Sequence, residues 1–350
     1  MKRSLRLGRS ASLTALIAVM LVVGVSCGAR GGGEGGENFT IRLSHVVTPE
    51  TPKGMASERF KELVEEGSEG RITVEIYPNS ELYGDEDELQ ALQSGSVQML
   101  APATAKFTTI APAIQVLDLP FIFDSVDEIP EVASPDTNVG QAIFENEDLR
   151  NRNIRVLGLW DNGLKQLSSD TEMRSPEDLQ GLEFRIQPSD VLRSQFRAWG
   201  ADATPLAFAE VYNALQQGVI DGQENPYSNI ESQNMHTVQD YITASNHGYI
   251  GYVLTINEEF YQSLPDDLKE VVDDSAAEAS AYNREIAEEV NNEALRVIEE
   301  EGSTEIIELT DEERQAFKDA VVPSVWEEYS DVIGEDLIQE LLEREEAQGQ

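Results

Sequence analysis

Apolar residues recur along this chain with two periods. Across 71–77, Ile72, Val74 and Ile76 alternate with polar neighbours and Pro78 follows; that period of two predicts a strand. Across 53–66, Ala56, Phe60, Leu63 and Val64 fall at helical spacing, which predicts an amphipathic helix. The same reading places strands at 39–43, 97–101, 154–160, 181–186, 219–220 and 247–255. It places helices at 85–94, 138–146, 264–300 and 311–345. A short helix opens at Ser175-Pro176-Glu177-Asp178, with an N-cap, a proline at its first position and acids in its first turn. Ser189 caps another, whose face is Leu192, Phe196 and Trp199, and Phe208, Val211, Tyr212 and Leu215 form the next face. Strands alternating with helices predict βαβ units, an α/β fold and mainly parallel sheets. The apolar segment 118–123, broken by Pro120, reads as a crossing between domains.

Ligands of such sheets sit beyond the C-terminal ends of strands. That rule brings forward His45, the loop 102–106 with Thr104, and the loop 161–165 that ends on Lys165.

The N-terminus reads as an address. Lys2, Arg3, Arg6 and Arg9 precede an apolar run over 11–25, the n- and h-regions of an export signal. The run ends Gly24-Val25-Ser26-Cys27, and Cys27 is the only cysteine of the 350 residues. It resembles the lipobox of bacterial lipoproteins, with Gly24 where that motif usually has an aliphatic residue. Lipidation of Cys27, plain cleavage and a retained anchor are the three outcomes. One cysteine leaves no intramolecular disulfide, so the fold rests on its core. A glycine-rich tether follows over 28–38. Its match to G-x-G-x-x-G carries no weight, because no strand precedes it and a strand follows it.

Charge narrows the search. The chain has 66 acidic and 25 basic residues, a formal net charge of -41, and only seven of the basic residues are lysines. Such a surface repels itself unless salt screens it; work in concentrated salt and an ordinary acidic extracytoplasmic protein both fit. Nucleic acid is excluded as a partner, since phosphate contacts need clustered Lys and Arg. Lys106 is the only cation between Arg71 and Arg150, and none lies between Arg197 and Lys269. An anion site must draw on few candidates.

No nucleophile elbow, H-E-x-x-H motif or phosphate loop is present. His45, His236 and His247 are not at metal-ligand spacing, so no enzyme, cofactor or metal is expected. Arg185 lies between Phe184 and Ile186 in the 181–186 strand. A buried cation needs a partner. Glu183 or Glu210 would make it a structural ion pair, and a ligand carboxylate gripped through two parallel hydrogen bonds would make it functional. Asn225, before Pro226, is either a turn residue or an amide donor to a ligand. His45 reads equally as a satisfied polar group or a contact.

Five ordered blocks resemble the solute-binding subunits of TRAP transporters. They are 161–167 (DNGLKQL), 175–181 (SPEDLQG) with Phe184-Arg185-Ile186, 205–216 (PLAFAEVYNALQ) and 221–226 (DGQENP). The likeness spans about 41–342. SHVV at 44–47, DLPF at 118–121 and NHGY at 246–249 resemble the branch that binds four-carbon dicarboxylates. The resemblance implies a type II periplasmic-binding-protein-like fold: two α/β domains joined by crossing strands and a long helix, closing over an organic acid. It divides the chain into 39–160, mainly domain I, 161–255, mainly domain II, and a helical segment 256–350 crossing both. It implies a membrane permease as partner, with a sensor kinase or chemoreceptor as the alternative. In its terms Arg185 grips a carboxylate, Asn225 and Phe208 contact the ligand, and Lys165 with His45 holds the other polar end; Thr104 and His247 complete the expected site. Lys165, where the sialic-acid branch has a second arginine, and Ala103, where it has a glutamate, argue against sialic acid.

Overall fold

The computed structural model describes residues 37–348. The export signal, Cys27 and all but the end of the tether lie outside them. Eleven strands follow in chain order: β1 (Phe39–Ser44), β2 (Ile72–Tyr77), β3 (Met99–Leu100), β4 (Ile154–Leu164), β5 (Gln166–Ser169), β6 (Glu183–Ile186), β7 (Asp202–Pro205), β8 (Gly222–Asn225), β9 (Tyr241–Ala244), β10 (Tyr249–Asn257) and β11 (Glu305–Glu308). They form two sheets, of order β2-β1-β3-β10-β4 and β11-β9-β5-β8-β6-β7.

Both sheets are mixed. β1 runs parallel to β2 and β3, β6 to β7 and β8, and β9 to β11. β10 is antiparallel to β3 and β4, and β5 to β8 and β9. The antiparallel pairs all involve strands that enter one sheet directly from the other. β4 stops at Leu164 and β5 starts at Gln166 in the second sheet, with Lys165 alone between them. β9 leaves the second sheet at Ala244 and β10 enters the first at Tyr249.

These two passages are the crossings, which corrects the expectation for 118–123. That segment follows a 3-10 helix, Pro112–Asp118, and is held as a turn by the Phe121 N–H donating to His247 O at 2.8 Å. Residues 161–164, expected as a loop, continue β4 because β10 pairs with it through a bulge. Gly163 sits there at φ 126°, a conformation that glycine adopts without Cβ strain. The expected helix 311–345 is four helices, Asp311–Asp319, Ser324–Glu328, Ser330–Ile333 and Glu335–Gln348, interrupted near Pro323 and Gly334.

The helix Pro52–Gly67 packs on the first sheet through Ala56, Phe60 and Val64, against the 36-residue helix Asp266–Glu301. Ala276 and Ala279 let the long helix approach closely, and a Cβ on Gly158 would stand 2.5 Å from Ser280 Oγ. Farther along, Asn291 accepts from the Ser228 N–H at 3.0 Å and donates to Asn162 O at 2.6 Å. The long helix thereby straps the second sheet's helix Tyr227–Ser232 to the end of β4.

Candidate functional site

Arg185 projects from the middle of β6 and is 1% exposed. Its Nε and Nη2 both donate to Leu206 O, at 3.0 and 2.8 Å. No carboxylate lies within ion-pair distance: Glu183 accepts from the Thr204 hydroxyl and Glu210 is exposed. Burial lowers the Arg185 pKa, while the more distant charges of Asp85 and Glu224 raise it. The Phe208 ring lies 6.0 Å from its Cζ.

A second cation approaches from the first sheet. Lys53 is in the first turn of the helix Pro52–Gly67, whose N-cap Thr51 accepts from the Gly54 N–H at 3.3 Å. A Cβ on Gly54 would clash with Thr48 O at 2.4 Å and Pro49 O at 2.5 Å, so glycine there lets the helix start fold back on the loop after β1. Lys53 is 1% exposed; Nζ donates to Ala101 O at 3.1 Å and lies 3.7 Å from the Tyr252 ring centroid. Burial lowers its pKa to about 8, against the raising charges of Glu88 and Asp85. Burial and the Asp85 charge push Glu88 up to about 7.

Between the sheets lies a small, partly open cavity of about 10 Å³. Lys53, Glu88 and Tyr252 line it on one side, and Phe208, Asn225 and Asn229 on the other. Asn225 Nδ2 donates to Gln223 Oε1 at 2.5 Å, and Asn229 Nδ2 donates to Asn225 Oδ1 at 2.9 Å. Asn229 Oδ1 is buried without a partner. Asp85 closes one edge, paired with Lys106 at 2.9 Å and accepting from the Phe208 N–H at 2.6 Å.

A separate charged cluster is built on Glu224 of β8. Oε1 accepts from Lys165 Nζ at 2.7 Å and Oε2 from His247 Nε2 at 2.8 Å. Burial raises the Glu224 pKa, but Lys165 and His247 outweigh it and hold the carboxyl down at about 2. An ionised carboxylate only accepts, so Nε2 carries the His247 proton. Burial lowers the His247 pKa and keeps the ring neutral, leaving Nδ1 to accept from Ser245 Oγ at 2.7 Å. Thr104 donates to Asp118 Oδ1 at 2.7 Å; burial raises Asp118 to about 6.

The structure thus divides the expected residues. Phe208 and Asn225 line the cavity and Arg185 stands behind Phe208. Lys165 and His247 belong to the Glu224 cluster, and Thr104 to Asp118. His45 is buried at the end of β1, its Nδ1 unpartnered. Burial and the Lys53 charge lower its pKa to about 3, leaving it neutral. Lys53 was not anticipated. Its signal is its rarity, one of seven lysines, beside a glycine at the start of the helix that follows the first strand.

The pattern described as bacterial extracellular solute-binding protein, family 7 (DctP), matches residues 43–331. The C4-dicarboxylate-binding periplasmic protein DctP of Rhodobacter capsulatus is 43% identical over 303 residues, 86% of this chain and 90% of that protein. A TRAP periplasmic solute-binding protein from Shewanella oneidensis, solved with bound succinate, superposes with a TM-score of 0.83 at 39% identity, covering 87% of this chain and 98% of that one. Another from Pseudomonas aeruginosa, with bound L-malate, has a TM-score of 0.80 at 37% identity, covering 83% and 100%. Within the described residues no helix is long and apolar enough to cross a membrane. The chain belongs to the family 7 extracellular solute-binding proteins, the DctP-type binding subunits of TRAP transporters, and is a binding protein rather than an enzyme.

Proposed function

We propose that this protein captures a four-carbon dicarboxylate, such as malate, succinate or fumarate, and delivers it to a TRAP membrane permease. The observation that carries the reading is the pairless burial of Arg185, beside a cavity lined by Asn225 and Phe208. Burying a guanidinium without an ion pair is costly, and a ligand carboxylate relieves that cost through bidentate hydrogen bonds. Asn225 supplies an amide at the cavity wall. The two sheets serve as the centres of two lobes, mainly 39–160 and 161–255, with 256–350 spanning both, and the Lys165 and His247 crossings serve as the hinge.

The test is calorimetry of the purified protein at high salt with succinate, malate, fumarate, a six-carbon sugar acid and a monocarboxylate. Micromolar or tighter binding of a four-carbon diacid, at least tenfold tighter than the others, is expected. Preference for the sugar acid overturns the ligand assignment. Co-purification with permease subunits supports delivery to a transporter, whereas capture of a sensor kinase supports a sensory role.

Export and lipidation at Cys27 would hold the protein at the outer face of the cytoplasmic membrane. Intact-mass spectrometry of the protein recovered from membranes should then show a diacylated or triacylated Cys27 as first residue. A mature protein of unmodified mass sinks that part.

A further inference from the structure

We propose that Lys53 is the second carboxylate grip of the cleft, and the residue that selects diacids over monoacids. This rests on the reading of the cleft as an organic-acid site. Among the described residues four cations are buried: Lys53, Lys165, Arg185 and Lys318. Lys165 pairs with Glu224 at 2.7 Å and Lys318 with Glu345 at 2.6 Å. Lys53 and Arg185 have no carboxylate within 4 Å. Lys53 stands on the helix packed against the first sheet and Arg185 on a strand of the second, and Tyr252 relates them. Lys53 Nζ lies over the Tyr252 ring, and the Tyr252 hydroxyl feels the Arg185 charge.

Three features of Lys53 suit it to an anionic ligand. It sits at the N-terminal turn of a 16-residue helix with no acid in that turn, where the helix dipole disfavours a cation. Its ammonium has three donors, of which Ala101 O takes one. It lines the cavity directly. An incoming carboxylate would meet an ammonium with spare donors, aided by the helix N-terminus behind it. A diacid neutralises both unpaired cations at once; a monoacid held by Arg185 leaves Lys53 as it was.

The groups facing Lys53 are Asp85 and Glu88 from the turn and helix after β2, Lys106 from the 3-10 helix after β3, His45 from the end of β1, and Tyr252 from β10. With Lys53 lowered to about 8 by burial, free protein loses the ammonium above that pH, and a second anionic end needs the proton restored.

The experiment is calorimetry with succinate and with butyrate, on wild type and on Lys53→Met, which keeps much of the apolar stem. Wild type should prefer succinate, and Lys53→Met should lose about 100-fold in succinate affinity, the scale of removing one partner of a buried charge pair. Butyrate affinity should move less than about threefold, the scale of small uncharged contacts. In wild type, succinate affinity should fall about tenfold per pH unit above about pH 8, one proton taken up per ligand bound, while butyrate affinity stays level. A folded Lys53→Met that keeps succinate within that threefold margin, or a level succinate profile in wild type, overturns the role of Lys53 and leaves the acid site intact. Failure of wild type to bind any carboxylic acid overturns the underlying reading instead. Should Lys53→Met not fold, the wild-type pH profile decides alone.

Discussion

Lys165 and Glu224 form a buried ion pair at 2.7 Å that ties the first crossing between the sheets to the middle of the second sheet. The second crossing is tied to the same carboxylate through His247 at 2.8 Å. The crossings also meet directly, the Lys165 N–H donating to Gly248 O at 2.8 Å. Glu224 is therefore a structural clamp on both passages. Replacing it by Gln leaves Lys165 buried without its counter-charge. We expect Glu224→Gln to cost about 3–5 kcal/mol in denaturant unfolding, as for breaking one side of a buried pair. Adding Lys165→Met should recover part of that loss, because the two sites are coupled. Additive losses in the double variant would count against the clamp.

The Lys165 assignment shows where sequence reasoning stops. Pattern alone makes Lys165 an ordinary loop lysine, notable only in a lysine-poor chain, and the family resemblance makes it a ligand contact. Its partner lies 59 residues away, and no local pattern predicts that pairing. Arg185 was conspicuous because its strand neighbours are apolar, yet the absence of an acid beside it is a fact of three dimensions. Helical spacing at 53–66 and 264–300 was legible, since each helix buries one continuous stripe. The crossings were misplaced because Leu119 to Phe123 is apolar for a different reason, packing in the core that includes Trp326 and Tyr249. Lys53 was hidden in an otherwise ordinary amphipathic helix, where a lysine in the first turn normally faces water.

Arg185 should tolerate neither truncation nor simple conservation of charge. Arg185→Ala removes the planar donor fork, and we expect a loss of about 2–5 kcal/mol in binding a diacid. Arg185→Lys keeps the charge but not the bidentate geometry, so it should lie between wild type and Ala. Calorimetry on both variants checks this, and wild-type affinity in Arg185→Ala would remove the residue from the site.

His45 gives a signed pH dependence. Its folded pKa is about 3, lowered by burial and then by the Lys53 charge, against about 6.5 for an unperturbed histidine. Between these values the unfolded chain holds the extra proton, so the neutral ring's contribution is present above about pH 6.5 and is lost as pH falls toward about 3. The slope for one proton is about 1.4 kcal/mol per pH unit. Urea unfolding from pH 7.5 to 4 should show His45→Gln losing stability less steeply than wild type, the two slopes matching only at the upper end of that range. Parallel curves throughout would mean that His45 is not held neutral.

Self-repulsion should make stability depend on salt, and the long helix shows where. Glu285, Glu288 and Glu289 are exposed at spacings of three and four on Asp266–Glu301. Like charges at those spacings destabilise a helix by roughly 0.2–0.5 kcal/mol per pair. They stand on a protein whose net charge is -41. Screening shortens from about 10 Å at 0.1 M salt to about 3 Å at 1 M, so the melting temperature should climb across that range and then level off. Replacing all three by Gln should raise the melting temperature at low salt, by an amount equivalent to about 0.5–1 kcal/mol. The gain should shrink at 1 M, because the same repulsion is already screened there. A gain that persists undiminished at 1 M would point to helix propensity rather than charge, and a wild-type melting temperature indifferent to salt would show that the acidic surface carries no strain for salt to relieve.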